Sequence, residues 1–143
     1  MTDLFIDTDV IIDFITDRKP FSREAAQVFT LIDQKKIKGY TSALSYNNLY
    51  YVFSKYAPHK KVISRLNELS DLVGILKADD DITKASLASD FKDFGDAIQY
   101  YTVREYKRID VIITRNIKHY KKSTLPVMTP ETFLKTFEQT VGI

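Results

Sequence analysis

Apolar positions along the chain recur in two rhythms. Leu4-Phe5-Ile6, Val73-Gly74-Ile75-Leu76, Val111-Ile112-Ile113 and Pro126-Val127-Met128 are short continuous runs, and Gly39-Tyr40-Thr41 is a weaker one. Runs of that length and composition read as buried strands. Between them the apolar residues return at helical spacing. Val10 to Ile15 begins a first helix. Pro20 and Ser22 mark the start of a second, which carries Ala25, Ala26, Val28, Phe29 and Ile32. Ser42 or Ser45 caps a third through Tyr56, and Pro58 opens a fourth with Val62, Ile63, Leu66, Leu69 and Leu72 on one face. Asp79 to Ser89 reads as a short helix and Gly95 to Arg108 as a longer one. Thr129 and Pro130 supply the cap and first residue of a last helix. Strands alternating with helices predict a single α/β domain over residues 1–143, with a central parallel sheet flanked by helices on both faces. In such sheets ligands gather at the carboxyl ends of the strands.

That edge is where the unusual polar residues fall. Asp7 follows the first strand, Thr41 and Ser42 the second, and Thr114, Arg115 and Asn116 the strongest later one. Asp96 heads the apolar face Ala97, Ile98 and Tyr101, and Asp93 stands three residues before it, a spacing that shares a helix face. If folding brings Asp7 beside Asp96, the two carboxylates repel unless a proton or cation intervenes. Hard divalent ions such as Mg²⁺ or Mn²⁺ suit an all-oxygen site. Structural roles compete with this reading: Asp7 also reads as a turn or helix cap, and Asp93 as a helix cap. Asp9 and Asp13 read as the solvated face of the first helix.

Composition narrows the classes. Of 143 residues, 44% are apolar and 28% charged, which suits one domain with a real core. A net charge of +2 is too small to indicate nucleic-acid binding except through a local patch. "RNIKHYKK" offers such a patch, with Arg115 and Lys118 as candidate phosphate ligands and Lys121 and Lys122 as an ordinary charged loop. His119 could donate a proton or ligate. The absence of cysteine removes disulfides, thiolate zinc sites and a cysteine nucleophile, and fits a reducing cytoplasm as the expected location. Four scattered glycines form no phosphate loop. No membrane span or secretion signal is expected. "SYNNLYYVFSKY" places Tyr46, Tyr50, Tyr51, Phe53 and Tyr56 around one helix, which predicts core plus a homodimer interface rather than base stacking.

The ordered set of an apolar run before "DTDVII", then "TSALSYNNL", "DFGDAIQYY", "DVIITRNIKHY" and "LPVMTPETFL" resembles the PIN-domain ribonucleases, which include VapC-type toxins of bacterial toxin–antitoxin pairs. The resemblance spans nearly the whole chain. It implies hydrolysis of RNA by clustered acids with Mg²⁺ or Mn²⁺, an antitoxin protein as partner, and a homodimer. Carried over, Asp7 matches the first acid and Asp96 the later one, with Asp93 an accessory ligand. Thr114 matches a hydroxyl that orients a ligand or water, and Asn116 a position that is often Asp. Two acidic positions are neutral: Asn48 stands at the end of S-x-x-[ST]-x-x-E, and His119 replaces the acid of T-R-N-x-x-D-F, followed by Tyr120. Weak metal binding is therefore expected. The reading is a metal-dependent endoribonuclease, the toxin half of a pair. A weakened PIN domain that binds RNA or protein is the first alternative. A haloacid-dehalogenase-like phosphatase is the second; it would use Asp7 and Asp9 as a D-x-D pair, although Ile11 and Tyr100 depart from that pattern.

Overall fold

Leu4 and Ile6 face one side of the first strand and Phe5 the other, and none of the three is exposed. Val111, Ile112 and Ile113 repeat that alternation beside them. A strand buried on both faces belongs at the centre of a sheet covered by helices, and that is the arrangement in the computed structural model, which describes residues 2–140.

The elements in chain order are β1 (Thr2–Ile6), α1 (Thr8–Ile15), α2 (Ser22–Asp33), β2 (Ile37–Ser42), α3 (Ala43–Phe53), α4 (His59–Leu72) and β3 (Gly74–Leu76). There follow α5 (Asp80–Ala88), α6 (Phe94–Tyr106), β4 (Val111–Ile113), a 3₁₀ turn (Ile117–Tyr120), β5 (Val127–Met128) and α7 (Pro130–Thr140). The five strands are parallel in the order β3-β2-β1-β4-β5. From β1 the chain runs outward to β2 and β3, then returns to the other side of β1 for β4. The crevice outside the carboxyl ends of β1 and β4 is therefore a topological switch point.

On one face Leu4, Ile6, Val111 and Ile113 pack against Val10, Ile11, Val28, Phe29, Leu49, Val62, Leu66 and Phe133, drawn from α1 to α4 and α7. On the other, Phe5, Leu76 and Ile112 pack against Tyr100 and Val103 of α6, with Ile109 and Tyr120. Full burial of each such aliphatic or aromatic side chain contributes about 1.5–3 kcal/mol. Gly39 lets α2 lie close on β2, because a Cβ there would meet Ile32 Cδ1 at 2.5 Å. Among the described residues no helix is long and apolar enough to cross a membrane.

Element boundaries differ from expectation in four places. The first helix begins at Thr8, because Asp7 serves as its N-cap. The third ends at Phe53, leaving Tyr56 84% exposed beyond it. Val73 closes α4 instead of opening β3. The sixth helix stops at Tyr106, where Lys107 turns left-handed at φ 62°.

Candidate active site

β1 ends by delivering Asp7 to the switch point. The Asp7 backbone N–H donates to Ile113 O at 2.9 Å, which extends the β1–β4 pairing by one residue. One carboxylate oxygen accepts from Thr8 N at 2.8 Å and the other from Thr114 Oγ1 at 2.9 Å. A carboxylate accepts about four hydrogen bonds, so both oxygens keep capacity for a further ligand. Thr114 is fully buried at the end of β4, and its hydroxyl also accepts from Asn116 N at 3.0 Å. Thr114 and Asn116, both singled out in the sequence, are thus joined to Asp7.

Asp9 and Asp13 depart from their expected solvated role. Asp9 Oδ2 accepts from Arg115 N at 3.1 Å and Asn116 Nδ2 at 3.0 Å, while its Oδ1 is buried without a partner. Asp13 is 1% exposed and receives the Arg115 guanidinium through Nε and, at 3.2 Å, Nη2. Phe21 stacks on that guanidinium, with Arg115 Cζ 4.0 Å from the ring centroid. The Arg115 side chain, read from sequence as a phosphate ligand, is therefore engaged with Asp13. Lys118 stays exposed on the 3₁₀ turn.

α6 brings the later acids. Asp93 is its N-cap: Oδ1 accepts from Asp96 N at 2.9 Å, and the residue is otherwise exposed. Asp96 lies in the first turn, with Oδ2 at 3.2 Å from His119 Nδ1. Tyr120 follows, 2% exposed, with its buried hydroxyl turned to the Asp7 carboxylate.

The charges show that these groups converge. Burial pushes the Asp7 carboxyl above its ordinary range; hydrogen bonds from Thr114 and Thr8 oppose the shift, and the Asp96 charge adds to it. Burial, then the Asp7 charge, pushes Asp9 up to about 6. Asp96 is raised by burial, with His119 opposing and Asp93 and Asp9 adding. Tyr120 is raised by burial and by Asp7 and Asp96, so its phenol stays protonated. Asp7 and Asp96, 89 positions apart in number, lie near enough for the Asp96 charge to add to the upward shift of Asp7. Among the described residues, the only three potential ligand groups whose atoms all lie within 4.8 Å of one another are Asp79, Asp80 and Asp81, exposed at the start of α5. The acids at the switch point are more loosely spaced than that.

Beneath the acids lies a neutral network. Ser45 Oγ accepts from Thr8 Oγ1 at 3.0 Å and Gln99 Nε2 at 3.0 Å, and lies 2.9 Å from Thr41 Oγ1. Ser42, the α3 cap, donates to Gln99 Oε1. Thr41, Ser42, Ser45 and Gln99 are all buried. Asn48 sits one turn beyond Ser45 on α3, exposed. Sequence reasoning missed Gln99, Asp9 and Asp13. Helical spacing carried a signal for Gln99, which is three residues after Asp96; for Asp9 and Asp13 the deciding partner is the distant Arg115.

A family profile described as the PIN domain matches residues 3–118. The chain belongs to the PIN domain family. Ribonuclease VapC1 of Aquifex aeolicus (strain VF5) is 27% identical over 135 residues, covering 91% of this chain and 92% of that protein. Among solved structures, a toxin–antitoxin complex from Klebsiella pneumoniae superposes with a TM-score of 0.66 at 25% identity, over 89% of this chain and 97% of that one. VapBC-1 from nontypeable Haemophilus influenzae gives 0.64 at 17% identity, over 91% and 99%. The PIN fold thus places Asp7, Asp9, Thr114 and Asn116 at one end of its two central strands, with Asp96 and His119 arriving from α6 and the 3₁₀ turn.

Proposed function

We propose that this PIN domain is a metal-dependent endoribonuclease, acting in the cytoplasm as the toxin half of a toxin–antitoxin pair. The observation that carries the reading is the meeting of Asp7, Asp9 and Asp96 at the switch point, each with its charged form disfavoured. Three repelling carboxylates beside an unpartnered Asp9 oxygen fit a divalent cation. Their loose spacing fits an ion that keeps several of its waters. When bound, Mg²⁺ or Mn²⁺ would polarise a phosphodiester and lower the pKa of a coordinated water.

Asp7 and Asp96 would hold the ion, with Asp93 assisting from the helix cap that fixes Asp96. Thr114 orients Asp7 by donating to its Oδ2, and Asn116 holds Asp9. Lys118 is the freer cation for RNA phosphates; Arg115 contributes what its pairing with Asp13 leaves free. Asp7→Asn keeps the size and the hydrogen bond from Thr114 but removes the charge. RNA cleavage in Mn²⁺ should fall below about one hundredth of wild type, a loss in the range of removing a transition-state charge stabiliser, with the thermal unfolding midpoint kept. Cleavage at the wild-type rate would defeat the assignment.

An antitoxin partner is supported by the complexes that share this fold. An apolar groove of about 520 Å³ between α1, α3 and α4, lined by Ile12, Ile15, Val52, Phe53, Ala57 and Val62, offers a surface for it or for a second copy of the chain. Asn48 and His119, neutral where acids are expected, favour the binding-only alternative. Capture of RNA without cleavage would select it. The phosphatase alternative is less well supported, since Asp9 is engaged by Arg115 N and Asn116.

A further inference from the structure

His119 is one of two histidines, and its partner is an acid of the proposed metal site. Nδ1 lies 3.2 Å from Asp96 Oδ2. Adjacent ligands of an octahedral ion with bonds of about 2.1 Å lie about 3 Å apart. The pair therefore stands at the separation of two neighbouring ligands, as well as at that of a hydrogen bond. Their backbones are fixed separately: Asp96 N donates to the Asp93 carboxylate, and His119 N to Asn116 O at 2.9 Å. Tyr120, buried in the core beside Phe5 and Ile112, anchors the turn that carries His119. Asp9 Oδ1 is buried without a partner in this neighbourhood. A hydrated ion would supply the water it needs.

We infer that His119 is a metal ligand, and that with Asp96 it makes this a mixed carboxylate–imidazole site selecting a first-row transition ion over Mg²⁺. The inference rests on the metal-dependent reading above. Its chemical basis is ligand type: carboxylate and water suit Mg²⁺, whereas imidazole nitrogen adds affinity for transition ions and little for Mg²⁺. It also gives the site a donor that does not repel Asp7, Asp9 or Asp96.

The test uses the full chain and Mn²⁺ as the probe. Pulsed EPR of the Mn²⁺-loaded protein should show modulation from a directly bound ¹⁴N. The modulation should persist in His59→Ala and vanish in His119→Ala. By calorimetry, His119→Ala should weaken Mn²⁺ by about tenfold or more, at least the cost of losing an outer-sphere partner, and change Mg²⁺ by less than about twofold. His119→Asp should tighten Mg²⁺ and show no ¹⁴N signal. Mn²⁺ that binds without ¹⁴N modulation, equal losses for both ions in His119→Ala, or no Mn²⁺ binding at millimolar concentration would each overturn the inference. Nitrogen-ligated Mn²⁺ in a protein that leaves RNA intact would sustain it and defeat the nuclease reading. RNA cleavage without ¹⁴N modulation would do the reverse.

Discussion

Asp9 and Asp13 lie one turn apart on α1, and both answer to Arg115, the first through its backbone N–H and the second through its guanidinium. Asp13→Ala leaves that guanidinium, already stacked on Phe21, without its buried anion. Removing one partner of a buried pair costs about 3–5 kcal/mol. Arg115 keeps some exposure, so a loss of about 2–4 kcal/mol is expected in urea unfolding. Asp9 gives a pH signature. Its folded pKa of about 6 lies above the unfolded value of 3.8, so the folded state binds the proton more tightly. The resulting stability is complete below about pH 4 and is lost as pH rises through about 6. Metal-free protein in chelator should therefore unfold more easily at pH 7 than at pH 4.5 as far as this group is concerned, by at most about 3 kcal/mol. Asp9→Asn should flatten that slope in melts across the range. Asp7 and Asp96 were legible in the sequence because one ends a buried strand and the other begins an apolar helix face. Asp9 and Asp13 were not, because what makes them buried is an arginine a hundred residues away, and spacing along α1 carries no trace of it.

Elements were legible where their ends carry chemistry. Ser42 caps α3, Asp93 caps α6, and Thr129 Oγ1 accepts from Thr132 N at 3.1 Å ahead of Pro130. Three of the four failures fall at helix ends where no such residue marks the stop; the fourth is the start of α1, where Asp7 was also read as a metal ligand. α6 was read through to Arg108 because the residue that ends it is a lysine, not a glycine. A left-handed non-glycine costs about 1–2 kcal/mol. Lys107→Gly should therefore raise stability by up to about 1 kcal/mol, once the greater freedom of glycine in the unfolded chain is set against it. The checking measurement is the midpoint of thermal unfolding, and a lowered midpoint would contradict the strain. The neutral network under the acids was illegible for another reason. Thr8, Ser45 and Gln99 come from three helices, and only their packing over β1 and β2 makes them one group.

The whole molecule was legible as an α/β unit because strand and helix rhythms alternate cleanly; the strand order was not, since it is set by which strands pair, and burial places only β1 and β4 at the centre. The aromatic helix α3 divides as expected between core and surface. Leu49 and Phe53 are buried, while Tyr51 is exposed and, past the helix end, exposed Tyr56 lines the groove. If that face joins two copies, Tyr51→Ser with Tyr56→Ser should shift sedimentation at micromolar concentration from dimer to monomer, because interface aromatics carry much of the binding energy. A wild-type chain sedimenting as a monomer would remove the dimer. Thr114 reaches Asp7 across 107 positions, and Ile113 closes the same junction through the backbone. A polypeptide still being synthesised thus carries Asp7 long before the threonine that aims it exists. If the domain cleaves RNA as proposed, a chain stopped ahead of β4 lacks both the hydroxyl and the strand end that aim Asp7, so cleavage waits until residues 111–114 are in place.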